Sequence, residues 1–155
     1  MLTISVIVLR GVTVSSVSHQ SPGSTVLLTR LARAVYRSSS ESVLGMRMKP
    51  YVLLDYLREQ GPVTQQALGE ALMLDPNNLV LLLNEVEAAG FAKRERDPAD
   101  RRRHIVELTP EGRRAVEHAE AGIESVEGEV LANLSEKERG TLRRLLARAL
   151  EGEGA

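Results

Sequence analysis

The chain contains no cysteine and no tryptophan among its 155 residues, and only one phenylalanine and three tyrosines. Without thiols it forms no disulfide, no thiolate metal site and no thiol-based redox sensor. Its apolar residues are mainly Leu, Val and Ala, a composition that favours helices. The length suits one domain with a hydrophobic core and is too short for two ordinary catalytic domains.

Residues 1–22 have the features of neither a secretory signal nor a membrane span. No Lys or Arg precedes their apolar run, and Arg10 ends that run before it is long enough to cross a bilayer. We interpret these residues as a weakly structured extension with a strand-like stretch at residues 3–9. We expect a cytoplasmic protein.

Motifs for catalysis and metal binding are also missing. No glycine-rich phosphate loop, HExxH or DxDxG pattern occurs. Covalent catalysis without cysteine needs a Ser or Thr beside a base, but His19, His104 and His118 are scattered along the chain. We therefore expect no enzyme, no cofactor and no metal site; His118 with its neighbouring glutamates is the weak alternative.

The formal net charge of −1 conceals a segregation of charge along the chain. Residues 93–103 carry six Lys or Arg side chains and three acidic ones, with His104 adjoining. Residues 117–129 carry five glutamates and neither Lys nor Arg. A basic edge beside an acidic segment is typical of a protein with one DNA-facing surface.

Apolar residues recur at helical spacing in six segments, each bounded by capping or breaking residues. The predicted helices cover about residues 25–38, 50–60, 64–72, 75–89, 110–131 and 135–150. Thr64, Asp75 and Thr109 are capping side chains, and Ser135 with Glu138 forms a capping box. The second helix is predicted to bury one face that contains Val52, Leu53, Tyr56 and Leu57.

Two strands are predicted at residues 91–96 and 104–108, joined by a charged, proline-containing loop that is too polar to bury. The fifth helix, about 33 Å long at 1.5 Å per residue, carries an apolar stripe that needs another helix against it. The stripe consists of Val116, Ala119, Ile123, Val126 and Val130. A short helix, a turn, a second helix and an arginine-rich hairpin form a winged helix-turn-helix, so the predicted fold class is mainly α with a small β-hairpin wing.

Three segments resemble the MarR family of bacterial regulators, and the resemblance covers about residues 24–150. They are 75–91 (DPNNLVLLLNEVEAAGF), 94–113 (RERDPADRRRHIVELTPEGR) and 134–150 (LSEKERGTLRRLLARAL). The resemblance implies a winged helix-turn-helix at about 46–109 and a homodimer held by helices at about 24–40 and 110–151. It also implies regulation of transcription, most often repression, at pseudo-palindromic double-stranded DNA with half-sites roughly 34 to 36 Å apart.

The family pattern implies that one wing arginine enters the minor groove. By position this residue is Arg102, with Asp100 as its ion-pair partner and Arg101 nearby. The residue chemistry agrees, because guanidinium groups suit a narrow groove and neutralise phosphates. We predict DNA contacts for Arg101, Arg102 and Arg103, with Asp97 and Asp100 orienting the loop. A solvated charged loop is the alternative.

The predicted recognition helix departs from the family, since residues 76–91 contain neither Lys nor Arg. Its outward positions are Asn77, Asn78, Val80, Leu81 and Asn84. Asparagine pairs with adenine and apolar side chains touch thymine methyls, so we predict base contacts within an A·T-rich operator. The predicted base-reading residues are Asn77, Asn78, Val80 and Leu81. Alternatively, the two asparagines only cap the helix.

Gln65 and Gln66 begin the preceding helix and are predicted to contact phosphate, although they are equally plausible as surface residues. The resemblance further implies a pocket for a small aromatic or anionic effector that changes the spacing of the two recognition helices. The candidate residues are Arg33, Tyr36, Arg37 and Tyr51. Core packing for the tyrosines and solvent exposure for the arginines are the alternatives.

A second function stays open alongside DNA binding. The uncharged recognition helix would fit a winged-helix dimer that has lost DNA binding and acts only through protein partners. The three consecutive arginines of the wing favour the DNA-binding interpretation.

Overall fold

The computed structural model describes residues 22–151. Its elements are α1 (Ser24–Ser38), α2 (Glu41–Leu44), α3 (Met48–Gln60), β1 (Val63–Thr64), α4 (Gln65–Ala71), α5 (Pro76–Ala88), β2 (Ala92–Arg96), β3 (His104–Leu108), α6 (Pro110–Val130) and α7 (Glu136–Leu150). All six predicted helices and both hairpin strands are present, which confirms the predicted fold class. The strand predicted at residues 3–9 lies outside the described residues.

Predicted capping residues begin the helices of the structure. The hydroxyl of Thr64 accepts a hydrogen bond from the backbone N–H of Ala67 at 3.2 Å. At α7, Ser135 and Glu138 form the reciprocal capping box. These side chains satisfy N–H groups that the first helical turn leaves without a partner, so local sequence places the start of α4 and α7.

The first turn of the long helix α6, directly after β3, lies in close contact with the backbone before β2. The hydroxyl of Thr109 accepts from the N–H of Gly112 at 3.0 Å and donates to the carbonyl of Gly90 at 2.6 Å. A Cβ atom on Gly112 would lie only 1.9 Å from the carbonyl oxygen of Phe91. A glycine is therefore needed where the first turn of α6 passes the backbone that joins α5 to β2.

The three strands form one antiparallel sheet in the order β1-β3-β2. In the hairpin, Ala92 lies opposite Leu108 and Arg96 lies opposite His104. On the other side of β3, Val63 of β1 pairs with the fully buried Val106. The sequence did not predict β1, because two residues carry no detectable period. This strand joins α4 directly to the sheet.

The hydrophobic core lies between α3, α5 and the sheet, and it continues along α6. The predicted inward face of α5 is buried, and it consists of Leu79, Leu82, Leu83 and Val86. In α3 one predicted position is wrong: Val52 is 39% exposed, whereas Leu54 is fully buried. Four buried residues of α3 follow the i, i+3, i+4, i+7 pattern of a core-facing stripe, namely Pro50, Leu53, Leu54 and Leu57. Val52 lies outside this stripe.

A short helix that the sequence did not predict, α2, packs against α6. Its last residue, Leu44, is fully buried, and Gly45 ends the helix at a φ of 72°. Gly122 of α6 permits this approach, since a Cβ atom there would lie 2.4 Å from the carbonyl oxygen of Val43. The predicted stripe of α6 thus packs on α1, α2 and α3 of the same chain.

Candidate nucleic-acid interface

The second helix of the helix-turn-helix pair, α5, begins with a capped first turn. One carboxylate oxygen of Asp75 accepts from the backbone N–H groups of Asn77 and Asn78, each at 3.1 Å, and the other accepts from the side-chain amide of Asn78. The hydrogen bonds from Asn78, first that of its backbone, hold the pKa of the Asp75 carboxyl below its usual range. The side chain of Asn78 is therefore engaged in capping, as the alternative interpretation expected.

The solvent-facing side of α5 combines apolar and amide side chains and carries no cation of its own. Leu81 is 67% exposed and Val80 is 37% exposed. Asn77 and Asn84 lie one helical turn before and after Leu81, so the three side chains share this face. Such a surface offers amide groups for base edges and apolar groups for thymine methyls, and no charge for phosphates.

Two carboxylates near the end of α5 pair with arginines from other elements. Arg47, just before α3, donates through Nε to Glu85 at 3.1 Å and also through Nη2. Arg94 of β2 donates its backbone N–H and its Nε to Glu87, both at 2.8 Å. The side-chain bonds from Arg94 hold the pKa of the Glu87 carboxyl below its usual range.

Sequence reasoning missed both of these ion pairs. The sequence did contain a signal for them, because α5 has two glutamates and neither Lys nor Arg. Any cation that compensates these carboxylates must therefore come from another element of the chain. The pairs matter for the interface, since uncompensated carboxylates on this helix would repel phosphates.

The loop between β2 and β3 is held by its two aspartates. Asp97 accepts from the N–H of Ala99 at 2.8 Å, and Asp100 accepts from the backbone N–H of Arg102 at 3.0 Å. Backbone bonds link Asp97 to Arg103 at 3.0 Å and Arg103 to Asp100 at 2.9 Å. The expected ion pair between Asp100 and the guanidinium of Arg102 is not formed: Asp100 bonds to the backbone of the loop instead.

The tip of this loop carries the exposed cations of the hairpin. Arg101, Arg102 and Arg103 are exposed, and within residues 22–151 none of them forms an ion pair. Lys93, by contrast, is paired with Glu95 at 3.0 Å and Glu107 at 3.1 Å. The predicted DNA-contacting arginines thus carry uncompensated positive charge, as does the exposed Arg96 at the end of β2.

A groove of about 710 Å³ separates the tip of the wing from α4 and the start of α5. Gln65 and Gln66 line one wall, and Arg102 and Arg103 line the other. The amide of Gln66 donates to Glu70 at 2.9 Å, so that side chain lies along its helix. The groove brings the predicted phosphate-contacting glutamines and the wing arginines to one open surface, where an anion can be contacted from both sides.

The four residues predicted for an effector pocket are not brought together. Arg33, Tyr36 and Arg37 are exposed on α1, whereas Tyr51 is buried in α3, where desolvation raises its pKa. A separate, mainly apolar cavity of about 250 Å³ lies between α1, α6 and α7, and Leu31 is part of its lining. Leu31 and Arg33 project to opposite sides of α1, because successive residues of a helix are turned by about 100°.

Membrane spans and metal sites are both absent from the part of the chain that the structure describes. Between residues 22 and 151, no helix is both long enough and apolar enough to cross a membrane. Within the same residues, no cluster of three or more His, Asp or Glu side chains could hold a metal ion, and His118 instead lies close to Gly45.

Residues 47–104 match the model of the MarR family. The chain is 34% identical over 98 residues to a putative transcriptional regulatory protein for the hcr operon of Thauera aromatica, covering 63% of this chain and 59% of that protein. It is 32% identical over 108 residues to the uncharacterized HTH-type transcriptional regulator YdgJ of Bacillus subtilis, covering 70% of this chain and 66% of that protein. The chain thus spans less than two thirds of the length of these two relatives.

A third relative is covered more completely. The chain is 32% identical over 100 residues to the transcriptional regulator HosA of Escherichia coli O111:H-, covering 64% of this chain and 74% of that protein. All three relatives are named as transcriptional regulators and none as an enzyme, in agreement with the prediction from the sequence.

Solved structures share the fold. A probable transcriptional regulator from Pseudomonas aeruginosa has 29% identity and a TM-score of 0.70, covering 81% of this chain and 96% of its own. Apo MarR from E. coli has 23% identity and a TM-score of 0.73, covering 84% and 99%. BpsR of Bordetella bronchiseptica, whose DNA binding is regulated by 6-hydroxynicotinic acid, has 26% identity and a TM-score of 0.68, covering 81% and 96%. With its family motifs, its winged helix-turn-helix and these relatives, the chain belongs to the MarR family.

Proposed function

We propose that the chain is a sequence-specific transcription regulator, acting as a repressor, that binds double-stranded DNA as a homodimer. One observation carries this proposal: the start of α5 and two uncompensated wing arginines border the same open groove. A helix that enters the major groove and a cationic loop beside it match the two grooves and the phosphates of a duplex.

The two parts of the interface have different tasks in this proposal. Asn77, Val80 and Leu81 read base edges and thymine methyls in the major groove, which favours A·T pairs at these positions. Arg102 enters the adjacent minor groove, where A·T-rich sequence narrows the groove and strengthens its negative potential. Arg101 and Arg103 neutralise phosphates on either side.

The dimer is supported by apolar surface on the first and last helices. Neither α1 nor α7 contains a buried residue. Their exposed large apolar side chains are Val26, Leu27, Leu28, Leu145, Leu146 and Leu150. A second copy that covers both helices would bury this surface and place two recognition helices about one DNA turn apart, roughly 34 to 36 Å.

Oligomeric state tests this part directly. We expect the wild type to sediment as a dimer and Leu150→Glu to shift it towards monomer, because a carboxylate cannot be buried there without a partner. The matched control is Lys137→Glu on the exposed first turn of α7. A monomeric wild type at tens of micromolar would refute the dimer.

Selection from random duplexes, followed by a salt titration on the recovered sequence, tests DNA binding. We expect an A·T-rich inverted repeat whose affinity falls steeply with salt. Arg102→Ala should weaken binding and reduce the salt slope by about 1 per subunit. Arg148→Ala, an exposed arginine near the end of α7, is the matched control and should change neither quantity. Absence of any enriched sequence would instead support a dimer that acts through protein partners.

We further propose that a small aromatic or anionic effector releases the DNA, with Arg33, Tyr36 and Arg37 on the exposed side of α1 as candidate contacts; the buried Tyr51 is not part of this set. The structural likeness to BpsR, which responds to 6-hydroxynicotinic acid, supports this class of effector. A panel of phenols and aryl carboxylates should contain compounds that release DNA from the wild type but not from Arg37→Ala. Release that is unaffected by Arg37→Ala and by Tyr36→Phe would exclude the α1 residues as the site.

A further inference from the structure

We propose that Asn84 is a further base-reading residue and that Arg94 fixes the orientation of its amide. Each half-site would then prefer a keto base, guanine or thymine, at one position. This inference rests on the proposed DNA binding and adds to it a specificity residue and a positioning residue.

Arg94 joins the wing to the last turns of α5. Its Nη2 donates to Oδ1 of Asn84 at 2.6 Å, while its backbone N–H and Nε each donate to Glu87 at 2.8 Å. The side chains of Arg94 and Glu87 are only 22% and 27% exposed. Nη2 also donates to Glu87, so two hydrogen bonds to this carboxylate, from Nε and Nη2, hold the guanidinium, and through it the amide of Asn84.

The chemistry of the partner decides which end of the amide faces outward. A guanidinium has donors only, so the atom that receives its hydrogen bond must be the oxygen of Asn84. The amide nitrogen of Asn84 therefore points away from Arg94, and it finds no hydrogen-bond acceptor within residues 22–151. Asn84 consequently presents N–H donors towards whatever lies against this face of α5.

The position of Asn84 places these donors beside the other base-reading residues. It follows Leu81 by three residues and Asn77 by seven, so all three share one face of α5. Seven residues correspond to about 10 Å along the helix, which is roughly three base-pair steps. In the major groove guanine presents O6 and thymine presents O4, whereas cytosine and adenine present amino groups at that edge. Guanine and adenine share the N7 acceptor, so the discrimination comes from the O6/O4 position, where a donor from Asn84 meets an acceptor on a keto base and another donor on an amino base.

The experiment is selection from random duplexes with the wild type, Asn84→Ala and Asn84→Asp. The wild type should show a keto preference at one position of each half-site, and Asn84→Ala should flatten that position by about 2- to 12-fold, the range for one hydrogen bond. Asn84→Asp still accepts from Arg94 but offers the base only acceptors, so the preference there should invert towards adenine or cytosine. Asn133→Ala, an exposed asparagine between α6 and α7, is the matched control and should leave every position unchanged.

Positioning by Arg94 is tested at the same operator position. Arg94→Lys keeps a cation beside Glu87 but lacks the planar fork that reaches Asn84. It should flatten the position that Asn84→Ala flattens, and the double variant should flatten it no further. A residue that only braced the fold would lower the melting temperature and leave the base preferences intact.

The outcomes separate this inference from the proposed function. If the wild type selects a sequence but Asn84→Ala and Asn84→Asp select the same one, the role of Asn84 is refuted and DNA binding stands. If Arg94→Lys alone leaves the position unchanged, Asn84 reads the base without positioning by Arg94. If the wild type selects no sequence, both the inference and the proposed function fail.

Discussion

Replacement of Gly112 by alanine tests how α6 is seated on the winged domain. An added Cβ would lie 1.9 Å from the carbonyl oxygen of Phe91 and 2.8 Å from Cδ1 of Leu108. The leucine methyl can rotate away, but the carbonyl belongs to the backbone that joins α5 to β2. Either α6 or that backbone must therefore move by more than 1 Å to restore an ordinary contact, given a carbon–oxygen separation of roughly 3.3 Å.

The expected cost follows from two opposing contributions. Forced displacement of packed elements costs about 3 kcal/mol or somewhat more. The higher helix propensity of alanine offsets about 1 kcal/mol of this. The net destabilisation of about 2 kcal/mol or more corresponds to a fall in melting temperature of about 4 to 8 °C for a chain of this size.

The assay is thermal unfolding followed by circular dichroism, at one protein concentration because a dimer's melting temperature depends on it. Gly140→Ala is the matched control, since Gly140 lies inside α7 and a Cβ there meets nothing within 4 Å. This control should raise the melting temperature by about 2 to 4 °C through helix propensity alone. Equal melting temperatures for Gly112→Ala and the wild type would refute the close approach of α6 to Phe91.

Three further predictions concern stability. Leu54→Ala should lower the free energy of chemical unfolding by about 2 to 5 kcal/mol, whereas Val52→Ala should lower it by less than about 1 kcal/mol. The reverse order would contradict the assignment of Leu54 to the core-facing side of α3. Thr109→Ala should lower the free energy of unfolding by about 1 to 2 kcal/mol, because it removes a helix cap and the bond to Gly90; an unchanged value would contradict both contacts. The pKa of the Glu87 carboxyl is lower in the folded than in the unfolded chain, so its contribution to the free energy of unfolding is complete above about pH 4.3 and is lost as the pH falls. The difference in free energy of unfolding between the wild type and Glu87→Gln should therefore shrink from pH 5 to pH 3. A constant difference would contradict the pairing with Arg94.

Much of the fold could be predicted because its determinants are local. Thr64 and Asp75 cap helices that begin at the next residue, so the start of each helix can be predicted from a few residues. The buried face of α5 can be predicted from the helical spacing of its leucines and valine. The position of the wing loop could also be predicted, from its charged and proline-containing sequence, but the bonds of its two aspartates to backbone N–H groups were not predicted.

Features that depend on distant partners could not be predicted in this way. The pair between Arg47 and Glu85 joins residues 38 positions apart. The strand β1 is defined only by its pairing with β3, and α2 by its packing against Gly122 of α6. The Asp100 carboxylate could accept a hydrogen bond either from a guanidinium or from a backbone N–H. The tight turn of the loop brings the backbone N–H of Arg102 within reach, and Asp100 bonds to it.

The distribution of charge separates affinity from specificity in this interface. Every ionised carboxylate at the end of α5 is matched by an arginine, since Arg47 pairs with Glu85 and Arg94 with Glu87, so the recognition helix is left close to neutral beyond its capping Asp75. The uncompensated cations lie on the wing. Variants of the phosphate-contacting Arg101 and Arg103 should therefore change the salt dependence of binding equally for all sequences, because phosphate contacts carry no base information.

Variants on α5 should show the opposite behaviour. Leu81→Ala should lower the preference for thymine at one position of each half-site, because it removes contact with the C5 methyl, and should leave the salt slope unchanged. The measurement is a salt titration of each variant on the selected operator and on an operator in which that thymine is replaced by uracil. If Leu81→Ala altered the salt slope, or if Arg102→Ala altered the base preference at the helix-facing positions, the division between a neutral reading helix and a cationic wing would be wrong.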